Sequence, residues 1–177
     1  MRLSYQSVAK QVAGLAEGLR QAGLRRGDRV GLYLETSVLQ SLSIFGVSQA
    51  GGVFVPINNL LFPEQVAHIA GDCQMRGLIT TREKLASLVP TLKSIPSLEF
   101  VVVTGDGPGA EIGQGTFELS ELLNSGVHEN WRDWGIGKDL AAILYTSGST
   151  GKPKGVMLSH DVFQQWRTQT KKYNERA

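Results

Sequence analysis

Hydrophobic positions along the chain alternate between a helical spacing of three and four residues and short continuous runs of strand length. The first helical stretch follows Ser4, a residue type that caps helices, and stops at Gly23, a residue type that ends them. The second follows Ser37 and stops at Gly51 and Gly52. The continuous runs predict strands at Arg29–Leu34, Val53–Ile57, Gly77–Thr80, Phe100–Val103, Leu140–Tyr145 and Gly155–Ser159.

Further helical segments fall between the predicted strands, at Glu64–Ala70, Arg82–Val89 and, as a short helix, Phe117–Leu123. Pro63 precedes the first of these, and proline is well placed in the first turn of a helix. Strands that alternate with helices are typical of α/β domains, in which crossover helices cover a parallel sheet. The predicted fold class is therefore α/β, with a mainly parallel sheet flanked by helices.

The segment between Glu35 and Glu64 contains no charged residue. A membrane helix needs about 20 mainly apolar residues, and polar residues such as Gln40 and Gln49 interrupt this segment. The pair Gly51 and Gly52 interrupts it again. A buried helix followed by a buried strand explains the segment better, so the sequence predicts no membrane span and a soluble protein.

The composition is that of an ordinary globular domain, because 41% of the 177 residues are hydrophobic and 19% are charged. This length suffices for one domain with its own core. The formal net charge of +2 and the scattered basic residues indicate no nucleic-acid partner. A basic cluster near the end, at Arg167, Lys171, Lys172 and Arg176, is interpreted as a solvent-exposed helix face.

Cys73 is the one cysteine of the chain, so no internal disulfide can form. A free cysteine fits a reducing compartment, and we expect a cytoplasmic protein. We interpret Cys73 as a small, partly buried residue without a catalytic role. His68, His128 and His160 lie far apart in the sequence without cysteine partners. The sequence therefore predicts no metal-ligand cluster, and each histidine is expected to be structural or exposed.

Gly105–Ala110 matches the spacing Gly-x-Gly-x-x-Ala of a dinucleotide-binding turn, directly after a predicted strand. Such a turn needs a helix that opens at its third position and directs its N-terminus at pyrophosphate. Pro108, Gly109 and Gly115 disfavour that helix. We therefore predict a surface loop. A Rossmann-type oxidoreductase is an alternative whose sign would be tight NAD binding, and we expect none.

The string Tyr145-Thr-Ser-Gly-Ser-Thr-Gly-Lys-Pro-Lys-Gly155 has the composition of a loop that holds phosphate. Its glycines let the backbone turn sharply and bring N–H groups close to an anion. The hydroxyls can donate to phosphate oxygens, the lysines supply charge, and Pro153 limits how far the loop can collapse. The spacing differs from that of P-loop NTPases. The string predicts a flexible phosphate loop between two buried strands, Leu140–Tyr145 and Gly155–Ser159.

This string resembles the signature loop of the AMP-forming adenylate superfamily, Tyr/Phe-Thr-Ser-Gly-Ser/Thr-Thr-Gly-x-Pro-Lys-Gly, at every fixed position. Three earlier stretches, Leu3–Val8, Gly23–Val30 and Gln49–Asn58, resemble further blocks of the superfamily. The resemblance therefore runs from about Leu3 to His160. It implies the first part of the large N-terminal domain of an adenylate-forming enzyme.

In enzymes of this superfamily a carboxylate attacks the α-phosphorus of Mg-ATP, which gives an acyl-adenylate and pyrophosphate. A thiol, commonly coenzyme A, then takes the acyl group. The resemblance thus implies ATP, Mg²⁺ and coenzyme A, with a carboxylic acid as substrate. It implies phosphate binding by Thr146, Ser147, Gly148, Ser149, Thr150, Gly151 and Lys154. Lys154 is expected to neutralise charge on the phosphates, Thr146 to contact Mg²⁺, and Tyr145 to lie in the core.

Within the superfamily, Val55–Gln65 and Gly155–His160 resemble acyl-CoA synthetases more than peptide-synthetase adenylation domains. Shorter similarities, among them Asp72-Cys73, point to bacterial acyl-CoA ligases. We therefore expect a ligase for a carboxylic acid, with a fatty acid as the acyl class.

Several parts of the superfamily have no counterpart in this sequence, namely the ribose aspartate, the acyl pocket and the C-terminal domain with its catalytic lysine. We therefore expect residues 1–177 to be a partial N-terminal AMP-binding domain that holds no catalytic residue and is inactive alone. Uncovered sheet edges predict self-association. The alternative is a non-catalytic nucleotide-binding or interaction module that retains the phosphate loop.

Overall fold

A computed structural model describes residues 3–108, 115–126, 136–146 and 153–165. In this part of the chain seven strands form one sheet. The strands are β1 (Arg29–Tyr33), β2 (Val53–Pro56), β3 (Gly77–Thr81), β4 (Phe100–Thr104), β5 (Thr116–Glu118), β6 (Leu140–Thr146) and β7 (Lys154–Ser159). The helices are α1 (Tyr5–Gln21), α2 (Val38–Gln49), α3 (Pro63–Asp72), α4 (Arg82–Leu92) and α5 (Leu119–Leu123). Residues 160–165, directly after β7, are helical as well.

The strand order across the sheet is β5-β4-β3-β1-β2-β6-β7. Each neighbouring pair from β5 to β6 is parallel, and the last pair, β6 with β7, is antiparallel. Parallel strands need crossover connections, and α2, α3 and α4 lie in those from β1 to β4. The predicted α/β class with a mainly parallel sheet is confirmed.

Helices cover the sheet on both faces, so the strands bury two separate clusters of side chains. On one face α1 packs against α2 and α5, and Leu15 and Leu19 join Val30 and Leu32 of β1. On the other face α3 and α4 cover a cluster that includes Val101 of β4. Strands buried on both faces read as continuous apolar runs, which explains why the sequence pattern located them.

Local capping residues fix where the first two helices begin and end. The Ser7 N–H donates to Ser4 Oγ at 3.1 Å, and the Gln40 N–H donates to Ser37 Oγ at 3.2 Å. Gly51 follows α2 with a φ of 87°, a left-handed conformation that side chains rarely adopt. The predicted helix starts at Ser4 and Ser37 are therefore confirmed.

The prediction of one helix over Phe117–Leu123 is partly wrong. Phe117 lies in β5 and pairs with Val102 of β4, and the helix begins only at Leu119. A short apolar run has no clear period, so the parallel pairing with β4 decides its structure. Helix α4 also extends past its predicted end, through Pro90 to Leu92, because Leu88 and Leu92 are both buried.

Two segments are more exposed than predicted. Helix α2 was expected to be buried, yet Phe45 is 58% exposed on its outer face. Strand β7 was expected to be buried, yet Met157 is 67% exposed. In the described chain β7 is the last strand of the sheet and pairs with β6 alone, which agrees with its exposure.

Gly105–Pro108, the described part of the glycine-rich segment, forms no helix, as predicted. The next described element is the strand β5 rather than a helix directed at a dinucleotide. Gly109 and Ala110 lie outside the described residues, as do His128 and the basic cluster from Arg167 onward. Among the described helices, none combines the length and the hydropathy that crossing a bilayer requires.

Candidate functional site

Strands β6 and β7 hold the two ends of the predicted phosphate loop opposite each other. In the antiparallel register Thr146 pairs with Lys154 and Tyr145 pairs with Gly155. Thr146 and Lys154 are both exposed, and paired residues of an antiparallel sheet project from the same face. The structure therefore brings together a hydroxyl and an ammonium group where β6 ends. The other predicted phosphate contacts, Ser147, Gly148, Ser149, Thr150 and Gly151, lie outside the described residues.

Gly155 makes room for the side chains of β6. A Cβ atom added at Gly155 would lie 2.8 Å from Cγ2 of Ile143 and 3.2 Å from Cζ of the Tyr145 ring. The missing side chain thus lets the Tyr145 ring lie beside β7. Gly155 belongs to the strand as well as to the phosphate-loop string.

Tyr145 connects the end of β6 to the end of α3. Its hydroxyl donates a hydrogen bond to Oδ2 of Asp72 at 2.5 Å, and its ring packs against the core cluster under α3 and α4. Burial is the main cause that raises the pKa of Tyr145 far above its usual value, and the hydrogen bond to Asp72 raises it further. The phenol therefore stays protonated and acts as a donor. The expectation that Tyr145 lies in the core is met by its ring, while its hydroxyl reaches a carboxylate.

Cys73 caps α3 directly beside this hydrogen bond. Burial raises the pKa of the Cys73 thiol to about 11, although the nearby Arg29 charge lowers it in part. The reactive form of cysteine is the thiolate, so a thiol with this pKa is a poor nucleophile at neutral pH. The side chain is buried rather than partly buried, which supports the interpretation of Cys73 as a structural residue.

An open cavity of about 370 Å³ lies at the carboxyl ends of β1, β2 and β6. Tyr145 lines the cavity together with the polar residues Thr36, Gln40, Asn58 and Asn59. Ligands of open parallel sheets bind outside the carboxyl ends of the strands. Because Leu144 and Tyr145 line the cavity, it adjoins the predicted phosphate-binding end of β6.

The opposite end of β6 is held by a second set of contacts. Asp139 pairs with Arg26 and accepts a hydrogen bond from the Ile136 N–H. The pKa of Asp139 is lowered below its usual value, mainly by the hydrogen bond from the Ile136 N–H and next by the hydrogen bond from Arg26. The His160 N–H donates to the Asp139 carbonyl at 3.1 Å and so ties the end of β7 to the start of β6. The hairpin is thus anchored at both ends.

Sequence patterns predict neither Asp72 nor the cavity as part of this site. Asp72 is separated from Tyr145 by 73 positions in the sequence, and no local motif links the two residues. The cavity is formed by the ends of three strands that only the sheet order brings together. In the sequence, Asp72 stands out only through the pair Asp72-Cys73, one of the short similarities to bacterial acyl-CoA ligases.

The described residues offer a metal ion few ligands of their own. They include no group of three or more histidine, cysteine or carboxylate side chains that could hold a metal. Thr146 supplies one exposed hydroxyl at the end of β6. Mg²⁺ bound to nucleotides takes much of its coordination from phosphate and water, so one protein hydroxyl fits an ion that arrives with ATP. The Mg²⁺ contact of Thr146 stays a prediction.

The chain is similar to a tyrocidine synthase. Tyrocidine synthase 3 of Brevibacillus parabrevis is 34% identical to it over 159 residues, a match that covers 89% of this chain and 2% of that protein.

Two solved structures have a similar fold. The anthranilate CoA ligase AuaEII, in complex with anthranoyl-AMP, aligns with a TM-score of 0.77 and 30% identity over 86% of this chain and 29% of its own. ATP-bound MatB from Rhodopseudomonas palustris aligns with a TM-score of 0.75 and 29% identity, over 91% of this chain and 30% of its own. The chain thus spans less than a third of the length of either solved relative.

The family model for AMP-binding enzymes matches residues 1–176, which is nearly the whole chain. This match agrees with the phosphate-loop string at the end of β6 and with the fold of the two solved structures. The chain belongs to the AMP-binding enzyme family.

Proposed function

We propose that this chain is the phosphate-binding part of an ATP-dependent acid–CoA ligase. The complete reaction converts a carboxylic acid, ATP and coenzyme A into acyl-CoA, AMP and pyrophosphate through an acyl-adenylate. The observation that carries the proposal is the pairing of Thr146 with Lys154 at the end of β6. The strands present these two polar groups together where the phosphate-loop string begins and ends.

Lys154 is proposed to stabilise the pyrophosphate that leaves when the acid attacks the α-phosphorus. Charge develops on the leaving group in that step, and a fixed cation nearby lowers the barrier. The antiparallel pairing of β6 with β7 restricts where the Lys154 backbone can lie. When bound with ATP, Mg²⁺ would neutralise phosphate charge, and Thr146 would supply one of its oxygen ligands.

The proposal also covers the class of carboxylic acid that is activated and the thiol that accepts the acyl group. The resemblance of Val55–Gln65 to acyl-CoA synthetases supports coenzyme A as the acceptor and a fatty acid as the substrate. Of the solved relatives, one is an anthranilate CoA ligase, so aromatic acids belong in the test. A cytoplasmic location is proposed with it, because the free thiol of Cys73 suits a reducing compartment.

The test is ATP–pyrophosphate exchange in the complete protein that carries this chain, with a panel of short, long and aromatic acids. We expect acid-dependent exchange, strongest with fatty acids, and a rate lower by about tenfold to a hundredfold in Lys154→Ala. Lys138→Ala is the matched control, since Lys138 is also exposed but lies near the opposite end of β6. The isolated 177-residue chain is expected to show no exchange.

The outcomes separate the candidate functions. Exchange that is equally fast in Lys154→Ala and Lys138→Ala would contradict the role of Lys154. ATP binding by the complete protein without exchange for any acid would favour the non-catalytic nucleotide-binding module. Strong exchange with aromatic acids alone would replace the fatty acyl class and leave the ligase proposal intact.

A further inference from the structure

We infer that the hydrogen bond between Tyr145 and Asp72 is a positioning contact that holds Thr146 and Lys154 in place for phosphate. The inference rests on the proposed function, because it explains what holds the two side chains that are proposed to bind phosphate. Neither residue is expected to touch the nucleotide. Their effect is transmitted through the backbone at the end of β6.

The end of β6 has little support from its parallel neighbour. Strand β2 pairs with β6 at Phe54 and Ala142, and β2 ends at Pro56, which has no backbone N–H to donate. The last residues of β6 are therefore held by the antiparallel strand β7 on one side. Since β7 is itself the last strand of the described sheet, an additional anchor at this point has a structural purpose.

Helix α3 provides that anchor. Val66 and Ile69 of α3 are almost fully buried in the core cluster, so the helix is firmly attached to the sheet. Asp72 is its last residue and projects an acceptor oxygen to the Tyr145 hydroxyl at 2.5 Å. Hydrogen bonds to an ionised carboxylate are shorter and stronger than those between neutral groups.

The position of Tyr145 in the strand makes the contact relevant to the site. Tyr145 directly precedes Thr146, and successive strand residues project to opposite faces of the sheet. The Tyr145 side chain thus holds one face against α3 while Thr146 and Lys154 project from the other. Its partner across the strands, Gly155, directly follows Lys154. A shift of Tyr145 would therefore move both polar groups.

The experiment is a double-mutant cycle in the complete protein with Tyr145→Phe, Asp72→Ala and both changes together. ATP affinity is measured by calorimetry. Amide hydrogen exchange of the Thr146 and Lys154 backbone reports the order of the strand ends. Tyr33→Phe is the matched control, since the Tyr33 hydroxyl donates to the Leu61 carbonyl at 2.7 Å, a group that belongs neither to β6 nor to α3. Melting temperatures separate local from global effects.

We expect each single variant to weaken ATP binding and to speed exchange at Thr146 and Lys154 by about tenfold, which is the range for loss of a hydrogen bond to a charged group. The double variant should be no worse than either single variant, because both remove the same contact. Asp72→Asn keeps an acceptor oxygen and should recover part of the loss. Tyr33→Phe should leave ATP affinity and local exchange unchanged.

Unchanged amide exchange and ATP affinity in Tyr145→Phe, or additive losses in the double variant, would overturn the inference while the proposed function stands. If Tyr145→Phe fails to fold, the exposed position of Asp72 lets Asp72→Ala decide by the same two measurements. A wild-type protein that does not bind ATP would overturn the proposed function and the positioning role together. ATP binding without acid-dependent exchange would overturn the ligase chemistry alone.

Discussion

At the scale of single residues, burial sets the chemistry of the groups that surround the end of β6. The phenol of Tyr145 and the thiol of Cys73 both have a raised pKa, with burial as the main cause in each case. Neutral forms are favoured where water is excluded. Tyr145 therefore acts as a hydrogen-bond donor, and Cys73 acts as a packing residue at the end of α3.

The pKa of Cys73 predicts a measurable loss of stability at high pH. The unfolded thiol titrates near 9.0 and the folded thiol near 11, so between these values the unfolded chain loses its proton first. The free energy of unfolding should fall as pH rises through this window, by about 3 kcal/mol in all. Denaturant unfolding of the wild type and Cys73→Ala between pH 8 and about 11.5 checks this. Parallel pH profiles in the two proteins would contradict it.

At the scale of elements, the hairpin of β6 and β7 determines where the predicted phosphate contacts lie. Its ends are tied to separate parts of the fold, through Arg26 and Asp139 at one end and through Tyr145 and Asp72 at the other. Close packing between the two strands completes the arrangement, because Ile143 and Tyr145 occupy the space that a side chain at Gly155 would need.

Gly155→Ala should therefore destabilise the fold. The added Cβ would lie 2.8 Å from Cγ2 of Ile143, and the β-branched Ile143 side chain has few alternative rotamers. We expect a loss of about 1–3 kcal/mol in the free energy of unfolding, the usual cost of overpacking. Gly126→Ala is the control, since a Cβ atom there meets nothing within 4 Å. Equal denaturation midpoints for the two variants would show that the hairpin accommodates the methyl group.

Local signals in the sequence predicted much of this fold but little of what joins its elements. Ser4 and Ser37 mark helix starts because a cap is formed with a residue three positions later. Phe117 was assigned to a helix because its strand conformation depends on pairing with Val102. The contact of Asp72 with Tyr145 likewise depends on the sheet order and has no local signal.

At the scale of the whole molecule, apolar side chains remain uncovered at one side of the sheet. Val156 and Met157 of β7 are exposed, and in the described chain nothing pairs with the outer edge of that strand. Unpaired strand edges with apolar side chains are templates for association with another chain. The expected self-association of the isolated chain therefore has a specific location.

We predict that Met157→Lys lowers the self-association of the 177-residue chain by placing a charge on the exposed strand. Sedimentation velocity over a range of concentrations should show a shift toward monomer. Tyr5→Lys serves as the control, because Tyr5 is also exposed but lies on α1, far from β7 in the chain. A wild-type chain that is monomeric at every concentration, or an equal shift in both variants, would contradict this prediction.

The strand ends at Thr146 and Lys154 are proposed to bind the phosphate groups of ATP. The direct measurement is an NMR titration of the 177-residue chain with tripolyphosphate, ATP and adenosine. Tripolyphosphate and ATP should bind with similar affinity, because the phosphate groups are the part of ATP that is bound. This affinity should be weak, since ordering a loop costs about 1–2 kcal/mol per residue. Adenosine, which has no phosphate, should not bind. Lys154→Ala should weaken both phosphate ligands, while Lys138→Ala should not. Adenosine binding as tight as that of ATP, or unchanged affinity in Lys154→Ala, would contradict phosphate binding at these strand ends.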